Sequence, residues 1–128
     1  MLAEENIKFL QDHGWRYELQ PEGELINLII FGYELPPGYT VTQSDLLIRL
    51  PGGFPDAPPN MFWLDPPAFF SNDSQPPGAD QREEYVGRSW QRWSRHLGDS
   101  QWRPGIDNLR SYLRFIRTNL EAVVPVMA

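Results

Sequence analysis

Apolar positions recur with two different periods along the chain, and the period predicts the element. Near the N-terminus, Leu2, Ile7 and Leu10 mark one face of a helix expected over residues 2–12. Gly14 can end that helix with a left-handed residue. The stretch after it changes to the short apolar runs and Pro/Gly turns that indicate strands.

Four strands are expected in this second stretch, at residues 15–19, 25–31, 44–50 and 60–64. The run "LINLIIF" is dense in apolar residues, which is typical of a central strand. In "SDLLIRL", alternate positions are apolar and share one face. The connections are short and carry proline and glycine, so the four strands are predicted to form an antiparallel meander.

The last third of the chain combines a stretch without periodicity and a helix. No period is visible between residues 65 and 101, which predicts a long loop, and loops of that length inside a compact domain are often functional. A second helix is expected to begin near Pro104 and Gly105 and to end at Pro125. Its predicted buried stripe consists of Ile106, Leu109, Leu113, Ile116 and Leu120. Helix, meander, long loop and helix together predict a single α+β domain over residues 1–128.

The composition excludes several classes of site. The 128 residues include no cysteine, so disulfides, thiolate nucleophiles and cysteine–metal sites are ruled out. The two histidines, His13 and His96, lie far apart and show no metal-ligand spacing, so neither a metal nor a cofactor is expected. No apolar run is long enough for a membrane span, and the acidic N-terminus is unlike a secretion signal. A cytoplasmic protein without membrane contact is therefore expected.

The net charge of −6 hides an asymmetry. Residues 1–80 carry 12 acidic and 3 basic residues, whereas residues 81–117 carry 4 acidic and 8 basic residues. The basic segment predicts either an acidic partner or ion pairs with the acidic half of the chain. Nucleic acid is disfavoured as a partner because the field of the whole molecule is negative.

Two motifs resemble the ubiquitin-conjugating enzyme (UBC-like) fold. In "LPGGFPDAPPNMFWLDP", residues 54–55 and 58–59 resemble the aromatic-proline and double-proline signature between the third and fourth strands of that fold. In "WRPGIDNLRSYLRFI", Trp102 and Pro104 resemble the tryptophan-x-proline that opens the helix after the active site. The order of elements predicted above is also the order in that fold.

The closer resemblance is to a bacterial branch, prokaryotic family E of this superfamily. The blocks "LPPGY", "DLLIRLP", "GRSWQRWSRH" and "WRPG" are similar to blocks of that family. The resemblance extends from about residue 5 to residue 120.

The resemblance places the active site in "WSRH". Ordinary members carry the catalytic cysteine eight residues before the tryptophan, and here that position is Ser94. Ordinary members also have a His-Pro-Asn motif before the nucleophile, and this chain has none. Asn72 lies near the corresponding distance, but a long insertion separates it from Ser94, so it is not assigned that role.

A serine nucleophile needs a neighbouring base, which typically contributes ~10²–10⁴-fold in rate. His96 is the candidate base, because side chains two residues apart in an extended segment point to the same side. Asp99 is the candidate residue to orient His96. The negative charge on the acyl oxygen would be stabilised by loop N–H groups or by Arg92 or Arg95.

Structural roles are open for the same residues. Ser94 can be a turn or cap residue, and His96 can bond the loop backbone. Trp93 and Trp102, with Trp90, are expected as loop anchors that support the site. Arg92 and Arg95, with Arg103, can guide the carrier's acidic surface or form salt bridges to the acidic N-terminal half.

Three functions follow from these alternatives. The first is a conjugating enzyme that takes a ubiquitin-like protein from an activating enzyme as an oxyester on Ser94 and transfers it to a target. The second is an inactive adaptor that binds a ubiquitin-like protein non-covalently, and the third is a hydrolase of carrier adducts.

The resemblance also implies partners. ATP would be used by the activating enzyme, since this chain has no P-loop. A JAB-type metallopeptidase is expected in the same bacterial operon, and some of these operons are linked to phage defence.

Overall fold

The computed structural model describes residues 2–98 and 101–125. Its elements are α1 (Glu4–His13), β1 (Tyr17–Glu22), β2 (Leu25–Glu34), β3 (Gln43–Leu50), β4 (Phe62–Asp65), β5 (Gln81–Tyr85), β6 (Arg88–Trp93) and α2 (Leu109–Ala122). All strand pairs are antiparallel, in the order β1-β2-β3-β4-β6-β5. The predicted α+β class with a helix at each end is confirmed.

The first four strands form the predicted meander. Consecutive side chains along each strand point to opposite faces of the sheet. Leu28 of β2 and Ile48 of β3 pair and face the main core, which also contains residues of both helices. Their neighbours Ile29 and Leu47 pair on the opposite face, in a smaller cluster. The helices therefore cover one face of the sheet, as the period of two in the sequence requires.

The prediction of only four strands, with a loop over residues 65–101, was wrong. Residues 81–93 form a hairpin, β5–β6, which adds two strands beyond β4. β5 is a charged edge strand that shows no apolar alternation. In β6 a polar residue, Gln91, occupies a buried position, because its amide bonds the backbone of Ala68 and Ala79. These bonds satisfy the polar groups of the buried amide. Because the residue at this buried position is polar, β6 shows no hydrophobic period in the sequence.

The second helix begins at Leu109, later than predicted. The Asn108 side chain accepts a hydrogen bond from the Ser111 N–H at 3.2 Å, and the Ser111 hydroxyl accepts one from the Asn108 N–H at 2.8 Å. This reciprocal cap sets the helix start. Ile106 consequently lies outside the helix and is 62% exposed, whereas the other four residues of the predicted stripe are buried. Within the described ranges, neither helix has the length and apolarity to cross a bilayer.

Candidate active site

Pairing between β4 and β6 brings two distant segments to the same end of the sheet. Phe62 at the start of β4 lies opposite Trp93 at the end of β6. Residues 60–61, just before β4, therefore lie beside residues 94–96, just after β6. The Met61 N–H donates to the Arg95 carbonyl at 3.2 Å, which continues the ladder by one bond.

Three side chains from these segments form a chain of polar contacts. The Ser94 Oγ lies 3.3 Å from the His96 Nε2, as expected for residues two apart in an extended segment. The His96 Nδ1 lies 2.6 Å from the Asn60 Oδ1. Ser94 is half-buried, and His96 and Asn60 are exposed.

The contact with Asn60 selects one tautomer of His96. An amide oxygen only accepts hydrogen bonds, so the neutral imidazole carries its proton on Nδ1. The Nε2 lone pair then faces Ser94 and can accept the hydroxyl proton. This order of contacts is the one found in a nucleophile–histidine–asparagine triad, in which the third residue orients the base.

The backbone beside Asn60 is held in an unusual conformation. Met61 has a φ of 65°, in the left-handed region that a non-glycine residue occupies at a cost of about 1–2 kcal/mol. Both of its backbone polar groups are bonded: the N–H donates to the Arg95 carbonyl, and the carbonyl accepts from the Tyr112 hydroxyl at 2.6 Å. Tyr112 is buried in α2, and burial raises the pKa of its phenol. Helix α2 therefore fixes the turn that presents Asn60 to His96.

Arg95 contacts the backbone of Ser94. Its Nη1 donates to the Ser94 carbonyl at 3.0 Å, and the Ser94 N–H donates to the Gly78 carbonyl at 2.9 Å. Burial lowers the pKa of Arg95, although an arginine stays charged at neutral pH. Its Nη2 is buried and has no hydrogen-bond partner among the described residues. The bond from Nη1 to the Ser94 carbonyl therefore holds a guanidinium charge next to the Ser94 backbone.

Gly78 leaves the space that Arg95 occupies. A Cβ at this position would lie 2.8 Å from the Arg95 Nη1, and Gly78 also has a φ of 70°. The two requirements together explain why a glycine stands there.

The two predicted tryptophans act as anchors. Trp93 is fully buried and stacks on Phe62, with ring centroids 5.6 Å apart. Trp102 donates from its indole nitrogen to the Pro55 carbonyl at 2.8 Å and packs edge-on against Tyr112. Both contacts fix backbone that borders the site, and neither ring lies in the polar triad.

The remaining sequence candidates lie elsewhere. Arg92 pairs with Trp63 on the sheet face away from the helices and forms an ion pair with Glu83 at 3.2 Å, within its own hairpin and not with the acidic N-terminal half. Arg103 contacts Asp107, which accepts from the Arg103 N–H. Asn72 accepts from the Ser74 N–H in its own turn. The predicted role of Asp99 falls outside the described residues.

Asn60 is the site residue that sequence reasoning missed. It directly follows the double proline and precedes β4, but its distance from His96 is 36 residues. Only the β4–β6 pairing makes them neighbours, and that pairing requires the hairpin that the sequence pattern does not show. The only sign of Asn60 in the sequence is that a polar residue stands between the double proline and an apolar strand.

Within residues 2–98 and 101–125, no group of three acidic or histidine side chains is placed to hold a metal ion. Ser94 and His96 offer a hydroxyl and an imidazole, the groups that nucleophilic and acid–base chemistry use.

In a comparison with protein families, the family described as prokaryotic E2 family E matches residues 2–123. No curated protein and no solved structure matches the chain.

Proposed function

Since this chain belongs to prokaryotic E2 family E, a branch of the UBC-like conjugating proteins, we propose that it carries a ubiquitin-like protein as an oxyester on Ser94 and transfers it to a target. The observation that carries this proposal is the contact of the Ser94 Oγ with His96, whose ring is oriented by Asn60. A conjugating site without cysteine needs such a base, because a serine hydroxyl is a poor nucleophile by itself.

The first step is acylation of Ser94. The Ser94 Oγ attacks the carbonyl carbon of the carrier's C-terminal glycine, which arrives as an activated ester on the activating enzyme. His96 takes the hydroxyl proton on Nε2 and gives it to the departing atom of the activating enzyme. One carbon–oxygen bond forms at Ser94 and the bond to the activating enzyme breaks, with no net change of charge. ATP is consumed by the activating enzyme, in an earlier step.

The second step transfers the acyl group to an acceptor. An acceptor amine attacks the ester carbon and gives a proton to His96. The protonated imidazole returns a proton to the Ser94 Oγ as the ester bond breaks. A serine alkoxide is a poor leaving group, so this proton return is the main contribution of His96 to the second step.

Arg95 supports both steps by positioning and by charge. Its bond to the Ser94 carbonyl fixes the backbone of the nucleophile. Its positive charge, on a half-buried guanidinium, also favours the negative charge that develops on the acyl oxygen, since charges interact more strongly away from water. Arg92 is not given this role, because Glu83 already neutralises it.

The partners implied are a ubiquitin-like protein, its activating enzyme and a target protein. A JAB-type peptidase that would remove the carrier again belongs to the same proposal. It rests on the family resemblance.

The test is reconstitution with the activating enzyme and the processed ubiquitin-like protein encoded beside the chain, ATP and magnesium. We expect an adduct that resists thiol reductants, breaks in mild base and maps to Ser94 by mass spectrometry. Ser94→Ala should abolish it, and Ser94→Cys should convert it into one that thiols cleave. Ser71→Ala, which changes an exposed loop serine, is the matched control.

The opposite outcome is equally defined. If the carrier binds non-covalently with the same affinity to the wild type and to Ser94→Ala, and no adduct forms, the chain is an adaptor.

A further inference from the structure

The base that a serine carrier requires stays in place after the carrier is loaded. A cysteine thiol is partly ionised near neutral pH and can be acylated without a dedicated base. Here the His96 Nε2 lies 3.3 Å from the atom that becomes the ester oxygen. His96 is then free again, next to the ester, and has no further function until an acceptor arrives.

Water can reach this base. The side chains of His96 and Asn60 are exposed, and Ser94 is only half-buried. No described residue bonds the His96 Nε2 except Ser94. A water molecule that approaches the ester from the solvent side can therefore give its proton to His96, as an acceptor amine would.

We propose that this chain has a second activity, the hydrolysis of carboxylic esters by Ser94, His96 and Asn60 without any activating enzyme. The Ser94 Oγ attacks the ester carbon, the proton passes through His96 to the departing oxygen, and an alcohol leaves. Water then attacks the acyl-serine, His96 takes a water proton and returns it to the Ser94 Oγ, and a carboxylic acid leaves. The sum is one ester and one water converted into one acid and one alcohol.

The probe should make few demands on the shape of the site. The nearest cleft along the chain, of about 310 Å³, is lined by Leu97, Trp102 and Phe115 together with five polar residues, and neither Ser94 nor His96 lines it. An ester of a phenol is therefore chosen for its reactive leaving group and not for a fit to this cleft. A small acyl group demands little space at Ser94, so 4-nitrophenyl acetate is the appropriate probe.

The experiment uses the full chain alone with 4-nitrophenyl acetate. We expect nitrophenol release above the buffer rate, an acetyl group on Ser94 in quenched samples, and loss of that acetyl group on further incubation. Ser94→Ala should remove the acetyl group, and His96→Ala and His96→Gln should lower the rate by ~10²-fold or more, the contribution of a positioned base.

The second histidine supplies the control, because free imidazole also cleaves nitrophenyl esters. His13 is exposed and stacks on Trp15 in another part of the molecule, so His13→Ala should keep the wild-type rate. An equal loss in His13→Ala and His96→Ala, or a full rate in Ser94→Ala, would overturn the proposal.

The hydrolase proposal and the conjugating function fail separately. If an oxyester forms from the activating enzyme but the chain alone leaves 4-nitrophenyl acetate intact, the second activity is excluded and the first stands. If the isolated chain hydrolyses the probe while rapidly quenched samples contain no carrier adduct and no carrier is passed to an amine, the reverse holds.

Discussion

The hydroxyl of Tyr112, buried in the middle of the fold, donates to the carbonyl of Met61 at 2.6 Å across 51 residues of sequence. This bond joins helix α2 to the turn that carries Asn60. Since Asn60 contacts the His96 ring, the position of that ring depends on a side chain outside the Ser94–His96–Asn60 contacts.

Tyr112→Phe should slow adduct formation and leave the apparent affinity for the carrier unchanged. Loss of the bond frees the Met61 turn, and Asn60 then orients His96 less well. The free energy of unfolding should also fall by about 0.5–1.5 kcal/mol, as for an ordinary buried hydrogen bond. Single-turnover rates as a function of carrier concentration separate the two effects on activity.

Tyr17→Phe is the matched control for this change, since Tyr17 is half-buried in the edge strand β1, which β2 and β3 separate from β4. A Tyr112→Phe variant with normal rates and lower stability would show that the bond is structural only.

Asn60→Ala should lower the acylation rate, because His96 loses the group that selects its tautomer. The effect is expected to be smaller than the ~10²–10⁴-fold contribution of a positioned base, since the base itself remains. Asn60→Asp keeps an acceptor and should retain more activity, with a pH–rate profile displaced to higher pH because the carboxylate favours the charged imidazole. Acylation rates of the wild type, Asn60→Asp and Asn60→Ala, measured from pH 5 to pH 9, check this ranking. Equal rates for Asn60→Ala and the wild type would remove Asn60 from the mechanism.

Gly78→Ala should disturb the site, whereas Gly87→Ala should not. Both glycines have positive φ, 70° and 75°, so both substitutions cost about 1–2 kcal/mol of backbone strain. Only at Gly78 does the added methyl also meet Arg95, at 2.8 Å.

The two alanine variants should therefore differ in adduct formation more than in thermal unfolding. Equal adduct rates in both would mean that the position of Arg95 does not matter to the reaction.

Stability should fall in alkaline solution as tyrosines ionise in the unfolded chain. Burial raises the pKa of Tyr39 to about 12, above its ordinary value of 10.0. A raised pKa means that the folded state keeps the proton longer, so the stabilisation is complete below pH 10 and is lost as the pH rises to about 12. For Tyr39 the whole loss is about 3 kcal/mol, at about 1.4 kcal/mol per pKa unit. Urea denaturation at pH 9 and pH 11 measures about half of it, because the loss is complete only near pH 12.

The variant Tyr39→Phe should show a shallower dependence of the free energy of unfolding on pH in this range. The pKa of Tyr112 is also raised by burial, so a part of the slope should remain. An unchanged slope in Tyr39→Phe would contradict the assignment.

The sequence predicted those parts of the fold where burial follows a simple period. The strands of the meander lie close to their expected ranges because consecutive residues such as Leu28 and Ile29 face opposite sides of the sheet, and helix α1 does so because its apolar residues recur at helical spacing. The strand β6 was not predicted, because Gln91 is polar and is buried through hydrogen bonds with the backbone of a loop. A period in hydrophobicity cannot reveal a position that is buried by polar contacts.

In the candidate site, one contact could be predicted from the sequence and the other could not. The contact between Ser94 and His96 follows from local spacing, which a sequence displays. The contact between His96 and Asn60 follows from the pairing of β4 with β6, which depends on a hairpin without an apolar pattern. Asp99 was proposed for the orienting role on nearness in sequence, which cannot report such a pairing.

The hairpin also places its tip far from the chemistry. Val86 and Gly87 turn the chain between β5 and β6, and six residues of extended strand separate that turn from Ser94. At about 3.3 Å per residue the separation is about 20 Å. A fluorophore or a short peptide tag inserted at this turn would lie at a distance suited to energy transfer from a labelled carrier. The molecule thus has a natural attachment point for watching loading and discharge in real time.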